Sequence, residues 1–260
     1  MNLILLNRFG FSFQKGGTHT SRTMMLDELE KLLSYVKNPN STDDYRTAIE
    51  VDNCLGKRSG RTRTLTYRHM VDLYSLDPNN TLFRTLLFFW ERDNAGHPLI
   101  ALLCTYSRDP LLRLSAPFIL ENPDGAVVSR KALEDYIEDK QPGRFSKGTL
   151  TSTSQNINST WTKSGHLQGR AKKIRAQANP TPGAVAYALF IGYLYGVRGE
   201  SLFDTEFTKL LDCSTIRAIE LAEEAARKAW IVFKKVGNVM ELHFPKLLDE
   251  YEMEWIREQN

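Results

Sequence analysis

Between residues 26 and 120 the chain repeats one pattern, and that pattern confines it to helices packed on helices. Apolar side chains recur at three- and four-residue spacing, as in Leu26, Leu29, Leu32, Leu33 and Val36, which is one face of an amphipathic helix. Pro, Asn, Asp and Gly clusters interrupt the pattern at Asn38-Pro39-Asn40-Ser41, Gly56, Asp77-Pro78-Asn79-Asn80, Asn94 to Pro98 and Asp109-Pro110. The segments between them predict helices over 26–36, 43–55, 65–76, 81–92, 99–108 and 111–120. Connections this short make consecutive helices antiparallel neighbours, so residues 26–124 are expected to form a helical bundle. Residues 1–25 carry scattered Gly, Ser and Thr and are read as a flexible tail.

The grammar changes after Asn122-Pro123-Asp124-Gly125. Ser129 caps a helix to about Asp139, Gln141-Pro142-Gly143 breaks it, and a polar helix follows over Gly148 to Lys163. Leu150, Ser154, Ile157 and Trp161 form the inward stripe of that helix, with Thr160 and Thr162 expected to face outward. Residues 166–177 lack helical periodicity and fit a strand or hairpin. Helix, turn, helix and basic ribbon is the order of a winged helix, assigned here to residues 125–180. A second helical or winged-helix-like unit is expected over 181–260, with a hairpin turning at Val236 to Val239 and an acidic tail. The fold class is therefore mainly α, a helical bundle followed by one or two winged-helix units with short β-hairpins. The longest apolar run, Ala184 to Val197, is shorter than the ~20 residues of a membrane span. Three cysteines, Cys54, Cys104 and Cys213, make neither a disulfide framework nor a zinc site, and the cytoplasm is the expected compartment.

Net charge is only +3, but its distribution is uneven. From Lys140 to Gly199 there is no Asp or Glu, while nine Lys and Arg side chains fall in the same stretch. A basic block of this kind suits a polyanion, though a solvated basic face would look the same in sequence. Within it, Lys147, Thr151, Thr153, Gln155, Asn156 and Lys163 belong to the polar helix, and Arg170, Lys172, Lys173 and Arg175 to the ribbon. Gln and Asn bond adenine bidentately and hydroxyls reach phosphates, so this composition suits a recognition helix followed by a basic wing. A second cluster, Lys57, Arg58, Arg61 and Arg63, is expected either to contact phosphates or to form a solvated helix start paired with Glu50 and Asp52. Asp52-Asn53 reads as a turn that holds this segment.

The text Thr47-Ala48-Ile49-Glu50-Val51-Asp52-Asn53-Cys54-Leu55-Gly56-Lys57-Arg58-Ser59 resembles the signature stretch of the BrxA proteins of BREX phage-defence systems, of the form AI-x-x-DN-x-L-x-KRS followed by Thr, here Thr62 or Thr64. Phe145 to Leu150, Trp161 and Ser164-Gly165-His166-Leu167 are similar to a second block of that family, and the resemblance spans roughly residues 43–168. It implies a mostly helical, NusB-like protein that binds DNA within a restriction-like assembly.

Phosphate-loop, dinucleotide, zincin and hydrolase-elbow motifs are missing, and His19, His69, His97, His166 and His243 lack ligand spacing. The expectation is a non-catalytic subunit of a phage-defence assembly, without cofactor or metal. It binds double-stranded DNA and other defence subunits, with a homo-oligomer left open. The alternative is a protein-interaction scaffold in the same kind of assembly.

Overall fold

Side-chain caps set most of the helix starts in the computed structural model, which describes residues 3–14, 16–237 and 239–257. The first seven helices are α1 (Leu3–Phe9), α2 (Leu26–Tyr35), α3 (Thr42–Glu50), α4 (Gly60–Tyr74), α5 (Thr81–Trp90), α6 (His97–Arg108) and α7 (Pro110–Leu120). Ser41, Ser59, Asn80 and Asp109 accept backbone N–H groups that have no partner inside α3, α4, α5 and α7. Ser41 and Asp44 complete a reciprocal capping box. The turn expected at Asp52-Asn53 is present. Asn53 adopts φ +54°, and its Oδ1 accepts from the Lys57 N–H at 2.7 Å, so the basic segment leaves α3 in a set direction.

After α7 come β1 (Val127–Val128), α8 (Arg130–Lys140), α9 (Lys147–Lys163), β2 (Leu167–Gln168) and β3 (Lys173–Arg175). The three strands form one antiparallel sheet in the order β1-β3-β2, with Val127 opposite Ile174 and Leu167 opposite Arg175. The β2–β3 turn depends on Gly169 at φ +92°, where an added Cβ would collide with the Lys172 carbonyl.

The last part consists of α10 (Pro182–Leu194), α11 (Glu206–Lys209), α12 (Thr215–Arg227), the antiparallel hairpin β4 (Val232–Val236) and β5 (Val239–His243), and α13 (Glu250–Arg257). The hairpin turn contains residue 238, which lies outside the described residues. All but two residues of α10 are fully or nearly fully buried, because α5, α6, α11 and α12 all pack against it. Its uniformly apolar sequence therefore marks an element enclosed all round. Asp93 accepts from the Gly183 N–H at 2.7 Å, an approach that only a glycine permits there.

Two expectations are corrected. Residues 1–25 are not a loose tail, apart from residues 1, 2 and 15, which lie outside the described residues. Leu5, Leu6, Phe9 and Phe11 are buried, Phe9 meets Trp255 of α13 at 6.1 Å, and His19 is completely enclosed. Apolar residues scattered among Gly and Ser are too sparse to predict a helix, yet they still anchor a strap. The partition at residue 181 also fails as a boundary between separate cores: α10 joins the buried side chains before and after it into one cluster. Among the described residues no helix is long and apolar enough to cross a membrane.

Candidate nucleic-acid interface

α9 starts at Ser146, whose Oγ accepts from the Thr149 N–H, and ends where Ser164 caps it before the sheet. Its inward stripe holds as expected: Ser154, Ile157 and Trp161 are buried and Leu150 is partly so. Trp161 is 0% exposed, donates from Nε1 to Ser115 Oγ at 3.0 Å and stands edge-on to His166. The buried arc is nevertheless wider than this stripe. The N-terminal strap lies along the adjoining face, so Thr153 and Thr160 are buried as well, and on the other side of the stripe Asn158 is also buried. Thr160, expected outside, has Oγ1 at 2.9 Å from His19 Nε2 and accepts from the Met24 N–H at 2.9 Å. Asn156, expected to read bases, instead donates to the His19 carbonyl at 3.0 Å. Thr153 and Asn156 are thereby removed from the interface, while Lys147 and Gln155 stay exposed and Thr151 half-exposed. Sequence reading missed Ser152 and Ser159, which share the outward face with Gln155 at helical spacing.

That outward face is one wall of a groove of about 870 Å³. The N-terminus of α8 forms a second wall and the β2–β3 turn a third, bringing Arg130, Lys131, Arg170, Lys172 and Lys173 around Gln155, Asn158 and Ser159. Among the described residues no Asp or Glu lines it. Arg130 and Lys131 were also missed, because each has an acid four residues on, Glu134 and Asp135, and reads as half of a helical pair. The Lys131–Asp135 pair is exposed and weak, and in the Arg130–Glu134 pair the arginine is the exposed partner, so both cations face the groove. Arg170 and Lys172 are exposed on the turn, as expected. Lys173 acts within the turn itself. Its Nζ donates to the Gly169 carbonyl at 2.7 Å, closing the turn, and partial burial lowers its pKa. At the floor, Asn158 is 4% exposed and its Oδ1 has no partner among the described residues.

Several of the remaining basic side chains are occupied elsewhere. Arg175 is 5% exposed and makes a bidentate ion pair with Asp212, at 2.6 and 2.8 Å, on the side of the sheet facing α11. It belongs to the core and is not a wing residue. Lys163 pairs with Asp27 at 2.7 Å and Lys57 with Glu28 at 3.1 Å, so the acidic first turn of α2 takes one lysine from each basic segment. Arg63 donates to the Glu50 and Val51 carbonyls and closes the end of α3. Arg58 and Arg61 alone of that cluster are exposed. A short-range alternation of charge cannot show that the opposing acid lies on another helix.

The strap also creates an Asp109, His19, Thr160 chain, with His19 Nδ1 3.0 Å from Asp109 Oδ2 and Nε2 2.9 Å from Thr160 Oγ1. This has the order of a nucleophilic triad, but His19 and Thr160 are wholly buried and Thr160 already accepts from a backbone N–H. Asp109 Oδ1 meanwhile caps α7, and the neighbouring His19 helps hold the carboxyl below its ordinary pKa against the opposing, larger effect of burial. The chain fastens the strap to α7 and α9.

His166 lies where the sheet meets α11. Its Nε2 donates to the Leu210 carbonyl at 3.0 Å, which leaves Nδ1 to accept from Ser164 Oγ at 2.9 Å. Burial, the dominant cause, pushes its pKa down to about 4 from 6.5. The unfolded chain therefore binds a proton below pH 6.5 that the folded protein refuses until about pH 4. Stability is complete above 6.5 and falls with pH across that window, by about 3 kcal/mol for this one group. Urea unfolding at pH 7 and pH 4.5 should show this loss. His166→Gln, which keeps a donor for Leu210 but cannot titrate, should lose less between the same two pH values.

No protein-family model matches the chain, and no curated protein matches it.

Proposed function

We propose that the chain is a non-catalytic subunit that binds double-stranded DNA through the groove walled by α8, α9 and the β2–β3 turn. One observation carries this reading: five cations converge on that groove and, among the described residues, no carboxylate lines it. A duplex backbone is the extended polyanion such a surface suits, because each phosphate neutralised releases condensed counterions. The succession α7, β1, α8, α9, β2, β3 with strand order β1-β3-β2 supports reading the unit as a winged helix. On that reading α9 enters the major groove with Thr151, Ser152, Gln155 and Ser159 toward the bases, and the turn carrying Arg170 and Lys172 lies on the flanking backbone. Short hydroxyl side chains dominate the helix face, so backbone contact outweighs base readout, with Gln155 the side chain best suited to a base edge. The resemblance of residues 47–59 to BrxA proteins supplies the setting, a phage-defence assembly with further subunits.

Arg170→Ala with Lys172→Ala tests the proposal. Both side chains are exposed, so thermal stability should be unchanged. Affinity for duplex DNA should fall, and the slope of log K against log salt should become shallower by about 2, one for each phosphate contact removed. A folded double variant with the parent's affinity and salt slope would sink the proposal.

A further inference from the structure

A second groove, of about 620 Å³, runs between α7 and α11. Its floor is apolar, built from Ala116, Leu120 and Leu210, with Pro117 exposed beside them. Its rim is acidic. Glu206 is held by the phenol of Tyr106 at 2.7 Å, a neutral partner that leaves the carboxylate charge unanswered. Glu121 and Glu206 take part in no ion pair among the described residues. The other charges at this groove are already matched: Lys209 turns to Asp204 at 3.0 Å and Asp212 is occupied by Arg175.

We infer that this groove docks a short extended segment of a partner protein in which apolar and basic side chains alternate. The apolar side chains fill the floor and the basic ones meet Glu121 and Glu206. Alternation is required because successive side chains of an extended chain point to opposite sides, which matches an apolar floor beneath an acidic rim. Nucleic acid is repelled by the same two carboxylates that favour such a peptide. The inference is independent of the DNA-binding reading, since the two grooves share no residue.

Cys213 lines this groove and is half-buried, whereas Cys54, likewise half-buried, lines a depression beside Tyr35. The protein therefore carries its own reference thiol. Alkylation of both cysteines by iodoacetamide, followed by peptide mass spectrometry without DNA, is measured with an acetylated, amidated peptide of four Lys-Leu repeats and with its Glu-Leu counterpart. The Lys-Leu peptide should slow Cys213 in proportion to occupancy and leave Cys54 unchanged, and the Glu-Leu peptide should protect neither. Glu121→Gln with Glu206→Gln keeps an acceptor for Tyr106 and should weaken the Lys-Leu peptide about tenfold, as expected for losing two rim charge pairs. Unprotected Cys213 at millimolar peptide, equal slowing of both thiols, equal protection by the acidic peptide, or unchanged affinity in the folded double variant would each overturn the inference.

Discussion

Arg175→Met is expected to destabilise the protein by about 3–5 kcal/mol, the usual consequence of leaving one partner of a buried ion pair alone. The guanidinium is enclosed and bidentate on Asp212, whose Oδ2 also accepts from the Ala178 N–H at 3.0 Å. Removing the arginine leaves the partly buried Asp212 carboxylate without its cationic partner. A double variant, Arg175→Met with Asp212→Asn, removes both charges, keeps an acceptor for the Ala178 N–H and suits the φ of +55° at this position, so it should recover most of the loss, because desolvating an ion pair costs nearly as much as its attraction returns. Urea unfolding of the three proteins measures this. The same variant separates core from wing: affinity for duplex DNA per folded molecule should equal the parent's. A fully stable Arg175→Met protein that no longer binds DNA would return Arg175 to the surface and overturn the assignment.

Trp161→Ala should cost about 3–5 kcal/mol, as for other large aromatics deleted from a close-packed core. The indole packs between α7 and α9 and its N–H donates to Ser115 Oγ, so truncation leaves a cavity and removes that hydrogen bond, while the Ser115 hydroxyl still donates to the Leu112 carbonyl. Trp161→Phe keeps most of the ring and should cost less than the alanine change. Any loss of DNA binding should track the unfolded fraction, because the ring is wholly enclosed and cannot stack on a base. Adding duplex DNA should leave the Trp161 contribution to fluorescence unchanged. Quenching, or a stable alanine variant that fails to bind, would show that the inner face of α9 has been misplaced.

The departures of α9 from its sequence pattern have one cause. Hydropathy shows which side chains avoid water, and along α9 it selects Leu150, Ile157 and Trp161 correctly. Thr153, Asn156 and Thr160 are polar, and polar side chains on a helix read as solvent-facing. They turn inward because the strap brings His19, its carbonyl and the Met24 N–H against this face, supplying Asn156 and Thr160 with the hydrogen bonds that water would otherwise give. The mistaken outward phase carries Thr153 and Asn156 into the interface and leaves out Ser152 and Ser159. The two basic clusters depart similarly: Lys57, Lys163 and Arg175 find acids that lie 29, 136 and 37 residues away in the chain.

Features governed by neighbours in sequence were therefore determined by the sequence itself: the helical segments between residues 26 and 120, the cap at Ser129, the turn at Asn53, and the order of helices and hairpin after residue 125. Backbone hydrogen bonding and side-chain periodicity act over a few residues, so they are written locally. The tertiary structure alone decided which cations remain free, which polar faces are buried, that the N-terminal residues form a strap, and that α10 unites the helices on either side of it in one core. Each depends on groups distant in sequence that packing brings together, at about 3 Å where hydrogen bonds form and buried charges are matched.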